Sequence, residues 1–168
     1  QQLDDSAFQN VVLDATFPVL SPESLVLSGA SDLGLSTQHS ALEKAVKRLC
    51  DDAERAVRVG ASILIISDKK TGPQRAVIPA LLAMGAVHHH LMRKGLRNRC
   101  SLISESGEAR EVHHFAVLIG YGASAINPYL ALDTAREAVQ KGKIRDKTIT
   151  EEQVVKNYVK AAEKGVLK

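Results

Sequence analysis

Short apolar runs alternate with longer amphipathic segments along most of this 168-residue chain. The runs have the length and β-branched content of strands, and the longer segments repeat apolar residues every three or four positions, as helices do. We predict strands over residues 11–17, 62–66, 99–104 and 124–127, and helices over residues 41–59, 76–94, 109–119, 129–140 and 151–164. Thr150 can cap the last of these helices. Residues 20–40 are rich in serine and glycine without a clear period, which predicts an irregular loop or insertion.

This alternation predicts one α/β domain over residues 1–168 with about four parallel strands. Four such strands form either a half-barrel of the (βα)4 type or a small open parallel sheet, and the pattern allows both. The continuous apolar run at residues 62–66 is typical of a strand covered on both faces. Either arrangement leaves apolar edge strands, so we expect self-association or coverage by the helix at residues 151–164.

Composition and charge argue against several classes of protein. Hydrophobic residues make up 45% of the chain and the net charge is only +3, which is typical of a globular protein. The basic run at residues 141–147 lacks stacking aromatics, and no apolar run reaches the roughly 18 residues of a membrane span. We therefore expect neither nucleic acid nor membrane as a partner. Cys50 and Cys100 are isolated, which favours the reducing cytoplasm or an organellar stroma.

Polar residues follow three of the predicted strands, where ligands sit in parallel α/β proteins. They are Asp68, Lys69, Glu105, Asn127 and Tyr129. Two carboxylates and an amine at one rim could perform acid–base chemistry. The alternative is that these residues cap turns and helix starts, as polar residues commonly do at such positions. Asp14 lies inside the first predicted strand and is less well placed.

Two clusters contain five of the six histidines. They are His88, His89, His90, His113 and His114. Neighbouring helical side chains point about 100° apart, so a triplet cannot converge on one ion, and no histidine pair has the i,i+4 spacing of a helical zinc site. We therefore predict no metal site and interpret the histidines as structural. We expect one histidine of each cluster to be buried and hydrogen-bonded between helix and sheet.

Gly120-Tyr121-Gly122 has the opening spacing of a phosphate-binding loop in the reverse context. The dinucleotide loop follows a strand and opens a helix, whereas this segment ends a predicted helix and precedes a strand. We predict that both glycines serve a helix C-terminal turn with positive φ, and that the chain has no cofactor site.

Several long segments resemble the central domain of the glutamate synthase large subunit. The matching segments are residues 13–18, 63–68, 76–90, 105–115 and 120–131. Residues 158–168 resemble the end of that domain, directly before the flavin-binding barrel. The resemblance covers most of the chain and is weakest over residues 20–40. Lys69 stands where an arginine is common in the family.

The resemblance implies a linking segment that is catalytically silent alone. Its partners would be an amidotransferase domain, which frees ammonia from glutamine, and an FMN barrel, where 2-oxoglutarate becomes glutamate. FMN and an iron–sulfur cluster are implied for the full-length enzyme, and neither for this chain. The chain begins with Gln1 rather than a nucleophilic cysteine, and two cysteines cannot form a cluster. The resemblance leaves the electron donor open among NADPH, NADH and ferredoxin.

Two other functions are compatible with the residues. The first is a free-standing (βα)4 enzyme that uses the polar rim as an acid–base site. The second is an interaction module whose exposed sheet edge recruits a partner.

Overall fold

The computed structural model describes residues 9–19 and 33–168, with side chains from residue 41 onward in the second range. The strands are β1 (Asn10–Asp14), β2 (Thr16–Pro18), β3 (Ile63–Ser67), β4 (Arg75–Val77), β5 (Ser101–Glu105) and β6 (Ala125–Asn127). The helices are α1 (Leu33–Arg58), α2 (Ala80–Arg93), α3 (Val112–Gly120), α4 (Tyr129–Gln140) and α5 (Glu151–Val166), and a short 3-10 helix spans Arg97–Arg99.

Four of the strands form a parallel sheet in the order β1, β3, β5, β6. The order of these four strands across the sheet is the same as their order along the chain. This order is typical of a barrel rather than of a doubly wound sheet. This confirms the α/β fold with four parallel strands that we predicted from the alternation. β2 and β4 form a separate antiparallel pair, which the sequence pattern did not indicate.

Burial alternates along the strands of the parallel sheet. Leu64 and Ile66 of β3 are buried in the core beneath the helices, whereas Ile63 and Ile65 are only partly buried. Val12 of β1, in register with Ile65, is 59% exposed. The prediction that this apolar run is covered on both faces is therefore wrong for the described residues. The helices of one face bury every second side chain, as a pleated strand requires.

Helix α1 begins earlier than its apolar period predicts. It starts at Leu33, so residues 33–40 are helical and the prediction of an irregular loop is wrong there. Residues 20–32 lie outside the described residues. Ala45, Leu49, Ala53 and Val57 form the buried stripe of α1, which defines its orientation against the sheet and α2. A helix that is already formed extends through weak helix formers at small cost per residue.

Two further predicted boundaries are wrong for identifiable reasons. The predicted strand at residues 11–17 divides at Ala15, because the Asp14 carboxylate accepts hydrogen bonds from the Thr16 N–H at 3.0 Å and the Thr16 hydroxyl at 2.6 Å. Helix α2 begins at Ala80 instead of residue 76, because Pro79 disfavours helical geometry at the residue before it. Residues 75–77 form β4 instead.

The last helix is held differently from the others. Thr150 and Gln153 form a reciprocal capping box at the start of α5, which agrees with the predicted cap at Thr150. α5 packs against α3 and α4, and none of its residues is fully buried. A Cβ added at Gly165 would lie only 2.2 Å from a methyl of Val112, so α5 and α3 approach closely at this point.

Candidate functional site

One row of polar residues crosses the carboxyl end of the parallel sheet. Asp14, Ser67, Glu105 and Asn127 are paired in register on β1, β3, β5 and β6. Alternation along parallel strands directs side chains of one row to the same face. Asp14 is the last residue of β1 rather than an interior one, so it belongs to this row.

Glu105 is the centre of this row. Its Oε1 accepts hydrogen bonds from Lys69 Nζ at 2.8 Å and Asn127 Nδ2 at 3.2 Å, and its Oε2 accepts one from Ser67 Oγ at 2.6 Å. Burial by itself would raise the pKa of Glu105, but the Lys69 and Ser67 hydrogen bonds outweigh it and lower the pKa below its ordinary value. A carboxylate held in this way stays charged and is a weak base.

Asp68 occupies a second, more enclosed position just beyond β3. The residue is only 5% exposed, and its carboxylate accepts hydrogen bonds from Ser106 Oγ at 2.9 Å and from the Gly107 N–H, also at 2.9 Å. Burial, followed by the hydrogen bond to Asp68 and the nearby carboxylates, raises the pKa of Tyr129 to about 12. The Tyr129 hydroxyl therefore stays protonated and remains a hydrogen-bond donor.

The structure brings all five predicted rim residues together. Lys69 links the two carboxylate positions, because its ammonium binds Glu105 and lies 5.1 Å from the centre of the Tyr129 ring. The cavity beside Asp68 and Glu105 has a volume of about 10 Å³. That volume corresponds to about one water molecule. Among the described residues, the rim is a closed polar network.

A neighbouring cluster around Asp14 was missed by sequence reasoning. Arg75 Nη2 of β4 lies 2.8 Å from Asp14 Oδ2, and Arg75 Nε donates to Thr16 Oγ1 at 2.9 Å. Lys70 lies 3.6 Å from the same carboxylate oxygen. Burial would raise the pKa of Asp14, but the Thr16 hydrogen bonds and the charges of Arg75 and Lys70 lower it. No sequence signal connects Arg75 to Asp14, since the β2–β4 pairing that joins them was not predicted.

The histidines of the first cluster lie on two sides of α2. His88 Nδ1 accepts a hydrogen bond from Arg97 Nε at 3.0 Å, and Arg97 also donates to the carbonyls of Cys100 and Gly122. Burial and the charge of Arg97 lower the pKa of His88, which stays neutral as an acceptor. His90 Nε2 lies 2.8 Å from Glu54 Oε2 of α1. These side chains therefore join α2 to its neighbours.

The expected burial of one histidine per cluster is wrong. His88, His90 and His114 are partly buried, while His89 and His113 are exposed. Small and apolar residues occupy the buried positions of α2, so its histidines lie on the remaining surface. The buried residues are Ala83, Met84, Gly85, Val87 and Leu91.

The prediction for the two glycines holds at one position only. Gly122 has φ of +104°, and a Cβ there would lie 2.2 Å from His88 Nδ1. Glycine is therefore required both by the backbone and by the contact with α2. Gly120 is the last residue of α3, without positive φ and with open space where a Cβ would project.

The two cysteines of this chain do not fit an iron–sulfur cluster. Such a cluster takes several cysteine thiolates, whereas Cys50 and Cys100 are the chain's two cysteines and lie on α1 and directly before β5. Burial raises the pKa of both thiols, which lowers their reactivity. Among the side chains that the structure describes, in residues 9–19 and 41–168, no three histidine, cysteine or acidic residues are placed to hold a metal. In the same part of the chain, no helix is long and apolar enough to cross a membrane.

Comparison with known proteins identifies similar sequences. A family model described as the glutamate synthase central domain matches residues 1–168. The chain is 51% identical over 127 residues to the glutamate synthase [NADPH] large chain of Bacillus subtilis, which covers 76% of this chain and 8% of the relative. It is 41% identical over 177 residues to ferredoxin-dependent glutamate synthase 1 of Arabidopsis thaliana, covering 99% of this chain and 10% of the relative.

A third relative is the glutamate synthase [NADH] of Saccharomyces cerevisiae, 37% identical over 161 residues, or 93% of this chain and 7% of the relative. The chain thus spans about a tenth or less of the length of these curated relatives. The resemblance found in the sequence motifs is confirmed. The three relatives are named for three different electron donors, so similarity alone does not select one.

Proposed function

Because the chain belongs to the glutamate synthase central-domain family, we propose that it is the linking segment of a glutamate synthase and has no active site of its own. The observation that carries this proposal is the closed rim. Glu105 and Asp68, the two carboxylates best placed for acid–base work, are engaged by donors from their own chain. The cavity beside them holds about one water molecule.

The whole enzyme would convert glutamine, 2-oxoglutarate and a reductant into two molecules of glutamate. In this proposal the linking segment contacts an amidotransferase domain and an FMN barrel, which supply the chemistry. FMN and the iron–sulfur cluster would be held outside these 168 residues, in agreement with the poor fit of the two cysteines here. The enzyme would work in the cytoplasm or in an organellar stroma.

A replacement experiment tests the linking role. In the Bacillus subtilis large chain, the segment that aligns with this chain is replaced by this chain. Glutamate formation by the purified chimera is then measured. We expect activity within about tenfold of the parent enzyme, because the two segments share 51% of the aligned residues. A chimera that folds and contains its cofactors but makes no glutamate would contradict the proposal.

The isolated chain provides the second half of this test. We expect no release of ammonia from glutamine and no glutamate formation when it is given glutamine, 2-oxoglutarate and reduced ferredoxin or NADPH. Turnover by the isolated chain that disappears in Glu105→Gln would favour the free-standing enzyme instead. Ser101→Ala, an exposed substitution at the other end of the same strand, is the matched control.

The exposed sheet face favours a second candidate function, an interaction module. Val12 is 59% exposed, and Ile65 and Ile103 in the same row are only partly buried. Two four-stranded halves would together supply the eight strands of a closed barrel. Sedimentation velocity at micromolar concentration should show dimers that Val12→Lys dissociates. A monomer at all concentrations would contradict self-association through this face.

A further inference from the structure

We propose that the loop at residues 106–111 couples the carboxyl end of the sheet to helix α5, so that loosening the loop at Asp68 also loosens α5. This loop joins β5 to α3. The start of the loop is hydrogen-bonded to Asp68 at the rim, and the Arg110 carbonyl near its end accepts a hydrogen bond from Tyr158 of α5. The inference concerns the mechanics of the chain itself and goes beyond the proposed linking role.

The first half of the loop is held by an enclosed carboxylate. Asp68 accepts hydrogen bonds from Ser106 Oγ and from the Gly107 N–H, and the Ser106 N–H donates to the Asn127 carbonyl at 3.0 Å. The Tyr129 hydroxyl lies against Gly107, 3.1 Å from the position of an added Cβ. These contacts leave the start of the loop little freedom, because charged hydrogen bonds shielded from water are the stronger ones.

The middle of the loop fixes a second element. The carboxylate of Glu108 accepts a hydrogen bond from the Ala80 N–H, the first amide of α2. Ala109 beside it is almost fully buried. The loop is therefore tied at its start and in its middle, and in this proposal residues 106–109 behave as one rigid unit that positions the Arg110 carbonyl.

The second half of the loop holds the terminal helix. Tyr158 Oη of α5 donates a hydrogen bond to the Arg110 carbonyl at 2.8 Å, and the Tyr158 ring packs edge-to-face on Phe115, with 6.4 Å between ring centres. α5 has no fully buried residue, although Tyr158, Ala162 and Val166 pack partly buried against the core. Elements with little buried apolar surface open locally at low free energy. The position of the Arg110 carbonyl therefore contributes to how readily α5 opens.

Hydrogen exchange measured by mass spectrometry tests the coupling at two separate positions. Asp68→Asn keeps the shape of the side chain but weakens its hold on Ser106 and Gly107. Tyr158→Phe keeps the ring on Phe115 but removes the bond to Arg110. Each variant is expected to raise exchange of the α5 amides about three- to tenfold, the effect of losing roughly one hydrogen bond. Amides of α1 over residues 45–57, the part of that helix with the buried stripe, serve as the reference for global unfolding.

The double variant decides whether the two positions act through one path. In the Tyr158→Phe background, Asp68→Asn should raise α5 exchange less than twofold further, because the connection is already broken. Independent multiplication of the two effects would overturn the proposal. So would α5 exchange in Asp68→Asn that stays within twofold of the wild type.

Matched substitutions control for chemistry unrelated to the loop. Asp52→Asn changes a partly exposed carboxylate of α1 that pairs with Arg55, and Tyr121→Phe changes a half-exposed tyrosine outside α5. Both should leave α5 exchange unchanged.

A second variant keeps the test open if Asp68→Asn does not fold. Ser106→Ala removes one of the hydrogen-bond donors to Asp68 and should raise α5 exchange by a smaller factor. No change in α5 exchange in folded Ser106→Ala, with Tyr158→Phe also silent, would likewise reject the coupling. Loss of activity in the chimera above would leave this result untouched.

Discussion

Helices α2 and α5 are both predicted by apolar periods but are buried to different extents. α2 lies between α1, α3 and β5 and buries five residues, including Leu91 at 0% exposure. α5 fully buries none: Tyr158, Ala162 and Val166 pack partly buried against the core, and a capping box and one tyrosine hydroxyl add local polar bonds. The difference shows that an apolar period predicts a helix without indicating how deeply tertiary packing buries it.

The largest expected effect tests the buried side of this comparison. Leu91→Ala should lower the free energy of unfolding by about 2–5 kcal/mol, because it leaves a cavity beneath α2. Val159→Ala removes apolar atoms from a 40% exposed position on α5 and should cost less than about 0.5 kcal/mol. Urea denaturation of both variants measures the difference. Equal losses would show that α5 is as integral to the core as α2.

The next effect concerns the backbone that lies against α2. Gly122→Ala should lower stability by about 2–4 kcal/mol, because it places a side chain at positive φ and against His88. Gly120→Ala, two residues earlier in open space, is the matched control and should be nearly neutral. Thermal unfolding of the pair measures this. A neutral Gly122→Ala would mean that the His88–Arg97 contacts rearrange freely.

An intermediate effect is expected at the rim of the sheet. Glu105→Gln should lower stability by about 1–2 kcal/mol at pH 7, since it weakens the hydrogen bonds from Lys69 and Ser67 and half-exposed Lys69 contributes little beyond them. The pKa of Glu105 is lowered in the folded state, so its contribution is fully present above the ordinary value of 4.5. The contribution is lost as the pH falls from about 5 through the folded pKa.

Denaturation of wild type and Glu105→Gln between pH 7 and pH 3 measures this dependence. The stability difference between the two proteins should shrink steadily below pH 5. Both proteins contain His88, whose lowered pKa makes each less stable as the pH falls below about 6.5. That contribution cancels in the difference. A difference that stays constant down to pH 3 would contradict the role given to the Glu105 charge.

The smallest effect tests the locally held helix. Thr150→Ala removes the cap of α5 and should cost about 1 kcal/mol, seen mainly as faster hydrogen exchange in its first turns. Thr134→Ala in α4 removes a hydroxyl that bonds back to the Leu130 carbonyl and should be neutral or slightly stabilising. Faster exchange throughout α1 in Thr150→Ala would contradict the local character of this bond.

Much of the fold could be predicted because its signals are local. The bounds of α4 agree with the predicted residues 129–140, and the cap of α5 at Thr150 was visible from the residue type alone. The five rim residues were found because strand ends in a parallel sheet share one edge. The roles of Ser67 and Arg75 could not be predicted, because each depends on a distant partner. Ser67 bonds to Glu105, 38 residues away, and Arg75 bonds to Asp14, 61 residues away.

The sequence by itself determined the alternation of strands and helices, the parallel class of the sheet and the family, because apolar periods, caps and long motifs are properties of neighbouring residues. The tertiary structure decided which apolar face is buried, which charges meet Asp14 and Glu105, and that the five clustered histidines lie outside the core. Those outcomes depend on packing between elements far apart in the chain, and that packing selects among side chains that look equivalent along it.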